Sequence, residues 1–164
     1  MARTETMLND SYEELVAAIA GLLDGEQDYI ANAANLSALV FDRLDDVNWV
    51  GFYFMRGGEL VVGPFCGLPA CTRIAVGRGV CGTAVARRQT LVVENVQAFD
   101  GHIPCDPISR SEVVVPLELD GEVIGVFDID SPSAARFGDD DRVGLEAIAN
   151  VYLRSLPAQF VVPA

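Results

Sequence analysis

Histidine and basic charge are scarce in this chain of 164 residues, and long apolar runs are missing. No stretch approaches the roughly 18 apolar residues that a membrane-spanning helix requires. Met1 to Asp10 carries charge but lacks an apolar h-region, so it does not read as a signal peptide and a cytosolic location is expected. Only 11 basic side chains stand against 24 acidic ones, a net charge of −13. Such a field repels phosphate backbones and disfavours nucleic-acid binding. It serves solubility, and it would also suit a small cationic or zwitterionic substrate. The single histidine, His102, is accompanied by four cysteines, Cys66, Cys71, Cys81 and Cys105, at spacings of five, ten and twenty-four. A zinc site asks for closely paired ligands such as CxxC, so metal binding is disfavoured. A reducing compartment disfavours a permanent disulfide framework. Buried structural thiols or redox chemistry are left.

No repeat or low-complexity linker interrupts the chain, which reads as one domain over 1–164 with its core at about 11–152. Ser11 followed by Glu14 forms a capping-box pattern ahead of Leu15, Ala18, Ile19, Leu22 and Leu23 at helical spacing. Gly25 ends that helix, and a second runs from about Asp28 to Arg43 on an apolar stripe of Ile30, Ala33, Leu36, Leu39 and Val40. Val47 to Met55 is rich in aromatic and β-branched residues and reads as a strand, turning at Gly57-Gly58 into Leu60 to Pro64. Short strands are expected at Thr72–Val76 and Leu91–Val93, with a short helix from Thr83 to Arg88 between them. An irregular stretch, Glu94 to Arg110, precedes a second hairpin across Asp120-Gly121. A final helix carries Val143, Leu145, Ile148, Ala149 and Tyr152 on its apolar side, and the apolar tail Pro157 to Ala164 is a candidate contact for a partner subunit. This order gives an α+β fold: a central antiparallel sheet with terminal helices on one face and loops on the other.

The chemistry gathers on those loops. Cys105 lies in Gly101-His102-Ile103-Pro104-Cys105-Asp106, while Cys71 and Cys81 follow the first hairpin. A thiol attacks only as thiolate, so exposure and local charge decide its reactivity. Two loop segments on one sheet face could bring such sulfurs within disulfide range. Asp128 and Asp130, two apart on a strand, share a face, and Glu112 opens the neighbouring strand. Burial and mutual repulsion raise the pKa of such carboxyls and keep at least one protonated near neutrality. A protonated acid suits the reduction of a sulfoxide, whose oxygen leaves as water. Trp49 and Tyr53 share a strand face and could wall an apolar methyl–sulfur tail. Each feature also has a structural reading: cysteines as inert core residues, the aspartates as caps of the strand end, the aromatics as core, and His102 as a solvated loop residue.

The strings Asn48-Trp49-Val50-Gly51-Phe52-Tyr53, Ala70-Cys71, Val76-Gly77-Arg78-Gly79-Val80-Cys81-Gly82-Thr83-Ala84, Phe99-Asp100-Gly101-His102-Ile103, Cys105-Asp106, Ser111-Glu112 and Gly125 to Ser131 together resemble the free methionine-(R)-sulfoxide reductases. The likeness runs in order from about Ser11 to Tyr152. It implies a GAF-type fold, a homodimer, and action on the free amino acid with no bound cofactor. It implies that Cys105 attacks the sulfoxide and becomes a sulfenic acid, and that Cys71 resolves it as an intramolecular disulfide. Thioredoxin, itself reduced by NADPH and thioredoxin reductase, would recycle the enzyme. Cys81 matches a third family cysteine that can serve as a second resolver. Glu112, Asp128 and Asp130 match the acids that bind substrate and protonate its oxygen, and Trp49 and Tyr53 match the aromatic wall. Two features depart from the family pattern: Cys66 is an extra thiol, and Pro104 and Pro107 flank Cys105, where they should stiffen the loop. The rival readings are a ligand-binding or redox-sensing GAF module without turnover, and a thiol peroxidase-like protein. The first is disfavoured by the lack of room for an output domain, the second by the acidic trio.

Overall fold

The computed structural model describes the backbone of residues 2–103 and 105–164 and the side chains of residues 11–103 and 105–164. Helices α1 (Ala2–Leu23) and α2 (Tyr29–Arg43) lead into β1 (Trp49–Arg56), β2 (Glu59–Gly67), β3 (Arg73–Ala75), α3 (Gly79–Arg87) and β4 (Leu91–Val93). A short 3₁₀ turn at Val96–Ala98 precedes β5 (Ser111–Leu119), β6 (Glu122–Ser131) and α4 (Asp139–Ser155). The six strands form one sheet in the order β3-β2-β1-β6-β5-β4, antiparallel at every pairing. Both tight hairpins use left-handed backbone where the turn demands it: Gly57 and Gly58 at φ 59° and 84°, Asp120 and Gly121 at 51° and 83°.

Side chains alternate across this sheet and make two cores. On one face Val50, Phe52, Phe54, Val113, Val115, Leu117, Phe127 and Ile129 pack against α1, α2 and α4. Each fully buried aromatic or aliphatic side chain contributes roughly 1.5–3 kcal/mol of transfer free energy. The opposite face holds Trp49, Tyr53, Leu60, Val114 and Val126 beneath α3, β3, β4 and the irregular stretch. The expected α+β layering, helices on one face and loops on the other, is the one found.

Several local expectations shift. Ser11 is exposed inside α1 and does not cap it, because no Pro or Gly precedes Gly21 to stop the helix from extending upstream. The apolar stripes are narrower than their composition implies. Leu22, Ile30 and Val143 are exposed, while Leu15, Ile19, Ala33, Leu36, Val40, Leu145 and Ile148 are buried. Asp28 is the N-cap of α2, accepting from the backbone N–H of Ile30 and Ala31 at 3.0 and 2.8 Å. Helix α3 begins at Gly79, not Thr83, so Cys81 sits in a helix and not in a loop. The tail folds back on its own domain, with Phe160 packed 5.2 Å from Tyr29 between ring centroids. No helix among the described residues is long and apolar enough to cross a membrane.

Candidate active site

The strand register builds the site. Glu112 on β5 lies opposite Asp130 on β6, which lies opposite Trp49 on β1. One step along the same face, Asp128 is flanked by Val114 and Gly51. Gly51 leaves space that no side chain could share, since a Cβ there would stand 2.3 Å from the Phe65 Cβ and 2.7 Å from the Trp49 ring. Trp49 therefore stacks between Phe65 and Tyr53, at 5.1 and 5.8 Å between centroids, and its Nε1 donates to the Leu68 carbonyl at 3.2 Å. Both aromatics are 2 % exposed, so they are core and pocket wall at once.

Cys81 reaches this floor from the first turn of α3. Its thiol donates to Asp128 Oδ2 at 3.3 Å and lies 3.8 Å from Glu112 Oε1. Burial, then the charges of Asp128, Glu112 and Asp130, push that thiol well above its ordinary pKa. Protonated, it is a hydrogen-bond donor and a poor nucleophile. Burial also raises all three carboxyls. Asp128 moves to about 6, held there by hydrogen bonds with Glu112 and Cys81 that oppose its burial. Glu112 and Asp130 are driven well above the carboxylate range, first by burial and then by the charge of Asp128. Burial thus favours the protonated form of all three carboxyls. The Tyr53 phenol, raised by burial and then by Asp128, stays neutral.

The roof is the irregular stretch. A disulfide joins Cys105 to Cys71, with 5.3 Å between their Cα atoms. Cys66 and Cys81 are free. Two loop segments converge as the sheet-face argument allowed, and Cys81 lies outside the pair. Asn48, just before β1, ties the roof down: its Nδ2 donates to Asp106 Oδ2 and to Ser109 Oγ, each at 3.0 Å. Asp106 Oδ1 accepts from the Ile108 N–H at 2.9 Å, closing a turn that contains Pro107. Pro104 lies outside the described residues.

A GAF domain model matches residues 12–152. The chain is 51% identical over 137 residues to the free methionine-R-sulfoxide reductase of Escherichia coli K12, covering 84% of this chain and 83% of that one. It belongs to the GAF-domain free methionine-R-sulfoxide reductase family. Among solved structures, a free methionine-R-sulfoxide reductase of Staphylococcus aureus in complex with substrate is 49% identical at a TM-score of 0.86, covering 89% of this chain and 95% of that chain. The free methionine-R-sulfoxide reductase of Neisseria meningitidis, also with its substrate, is 43% identical at 0.85, covering 88% and 87%.

In this reductase-family chain, Trp49, Tyr53, Cys81, Cys105, Glu112, Asp128 and Asp130 all line one cavity of about 50 Å³, and Cys71 is held to it through Cys105. The aspartates belong to β6 and do not cap its end; the Ser131 hydroxyl serves the following turn, accepting from the Ser133 N–H at 3.1 Å. His102 also lines the cavity, its pKa lowered by partial burial. Sequence reasoning set His102 aside and passed over Ser109 and the tethering roles of Asn48 and Asp106. The Asp106-Pro107 turn signal was the one legible hint of that tether. Among the described residues, Cys81, Glu112 and Asp128 form one group of donors to which a metal could bind, their ligand atoms within 4.8 Å of one another.

Proposed function

We propose that this protein reduces free methionine-(R)-sulfoxide to methionine, with Cys105 as the attacking thiol and Cys71 as its resolver. The observation that carries this reading is the Cys71–Cys105 disulfide standing over a floor of buried acids. In the reduced protein the Cys105 thiolate attacks the sulfoxide sulfur. A proton from Glu112 or Asp130, the two acids raised furthest, goes to the sulfoxide oxygen. The S–O bond breaks as the oxygen passes to Cys105; methionine leaves and Cys105 is a sulfenic acid. The Cys71 thiol then condenses with it, releasing water and forming the disulfide. Thioredoxin's dithiol reduces that bond by exchange, a cycle suited to a reducing cytosol. Asp128, the carboxyl lowest in pKa, holds the substrate ammonium group. Trp49 and Tyr53 pack the methyl–sulfur end. Cys81, buried and hydrogen-bonded to Asp128, keeps the carboxylate in place and takes no part in the disulfide step. The homodimer belongs to the same reading, with apolar surface available along α1 and α4 at Val16, Ala17, Val143 and Ala147.

The test is NADPH consumption in the presence of thioredoxin and thioredoxin reductase, comparing free L-methionine-(R)-sulfoxide with its S epimer. Turnover on the R epimer alone is expected. No turnover on either epimer, with all thiols still titratable afterwards, would turn the reading toward a ligand-binding GAF module.

A further inference from the structure

Cys81, Glu112 and Asp128 come from three separate elements, α3, β5 and β6, so no spacing along the chain announces them as a group. Their mutual geometry does. Cys81 Sγ stands 3.3 Å from Asp128 Oδ2 and 3.8 Å from Glu112 Oε1. Ligands held tetrahedrally on zinc, with bonds of about 2.3 Å to sulfur and about 2.0–2.2 Å to oxygen, stand roughly 3.5 Å apart. The two separations bracket that value. A second observation points the same way. Asp128, a cavity-lining residue, is 5 % exposed, and while its Oδ2 accepts from Cys81, its Oδ1 accepts from no N–H, hydroxyl or thiol among the described residues. A buried carboxylate oxygen without a partner is a cost that a ligand would relieve. The cavity, about 50 Å³, has room for an ion and a water at its fourth position.

We propose that Cys81, Glu112 and Asp128 form a reversible site for a thiophilic divalent cation, zinc foremost, which blocks the pocket when bound. The donor set selects the ion. A thiolate with two carboxylates favours zinc over magnesium or calcium, which prefer all-oxygen shells of six or more ligands. Binding displaces the protons these groups carry and leaves one open position toward the cavity, the position a substrate would otherwise face. Occupation therefore takes Asp128 and Glu112 away from the sulfoxide. That consequence rests on the proposed reductase reading, whereas the site itself does not.

Zinc binding to the full-length, oxidised protein, followed by calorimetry, tests the site without any turnover. In that form the Cys71–Cys105 disulfide removes two thiols from contention, and Cys66→Ser removes the other free one. One zinc per chain is expected in both the wild-type and the Cys66→Ser proteins. Cys81→Ala should weaken binding by at least about 100-fold, and Glu112→Gln should weaken it comparably. Circular dichroism identifies any variant that fails to fold, and either one suffices. No zinc uptake by folded Cys66→Ser protein, or unchanged affinity in folded Cys81→Ala or Glu112→Gln protein, overturns the site and leaves the reductase reading untouched. Blocking is tested in the Cys71→Ser/Cys105→Ser double variant, which cannot turn over: methionine-(R)-sulfoxide should displace zinc into a chromophoric chelator. Zinc retained at saturating sulfoxide overturns the blocking.

Discussion

The two faces of one sheet differ more than the two ends of the chain do. On the helix side, Phe52, Phe54, Phe127 and Ile129 are closed in by α1, α2 and α4, with the buried Ser111 and Ser131 confined to the strand ends. On the other side the same strands present Trp49 and Tyr53 together with Glu112, Asp128 and Asp130. The cover differs accordingly. Three helices seal the first face, while one short helix and a tethered loop roof the second and bring polar partners to the acids: the Cys81 thiol to Asp128, the Ser109 hydroxyl to Asp130. One face stabilises the fold, and the other spends part of that stability on buried carboxyls whose protons are displaced toward neutral pH.

Several substitutions would break or sharpen this division. Cys105→Ser on the roof should abolish turnover while leaving the melting temperature of the reduced protein unchanged; normal turnover in that variant would pass the attack to another thiol. Cys71→Ser should release about one methionine per active site and then stop, a burst visible by chromatography of the released amino acid. Full cycling with thioredoxin would instead assign the resolving role to Cys81. On the helix side, Phe52→Ala should cost about 3–5 kcal/mol in urea unfolding. The KM of the remaining folded protein should stay as it was, and a large rise in KM would show that the two faces are not independent.

The acids give the smallest of these effects and the most diagnostic. Asp128 has a folded pKa of about 6 against an ordinary 3.8. A carboxyl raised in this way binds more protons in the folded state than in the unfolded one. Its contribution is therefore fully present below about pH 4 and is lost as pH rises through 6. At 1.36 kcal/mol per unit, that loss is about 3 kcal/mol. Glu112 and Asp130 move in the same direction and add to the loss. Urea midpoints measured between pH 4 and 8 should fall, and Asp128→Asn should flatten the lower part of that fall. A flat wild-type profile would mean that the acids are not buried as described.

Much of this was legible before any coordinates. Period-two alternation placed Trp49 with Tyr53 and Asp128 with Asp130, because strand geometry leaves little choice once the strand itself is recognised. The two hairpins were announced by Gly57-Gly58 and Asp120-Gly121. What failed was governed by contacts distant in sequence. Whether Val143 faces the core depends on how α4 lies against α1, and helical period alone assigned it wrongly. Cys81 looked like a loop residue because glycines surround it, yet Gly79 opens a helix there. The Asn48 tether to Asp106 and Ser109 spans about sixty positions, and the Asp106-Pro107 turn marks one end of it without naming the other.

The register between β5 and β6 has one more consequence. Glu112 faces Asp130 while Val113 faces Ile129, so sliding one strand by a single residue would turn acids into the helix-packed core and greasy side chains into the pocket. An insertion or deletion between Ser111 and Leu117 would thus disturb fold and chemistry together. The segments that carry Cys71 and Cys105 lie between strands and can change length without that penalty. The sulfurs can therefore be moved without disturbing the sheet, whereas the acids keep their places only as a block.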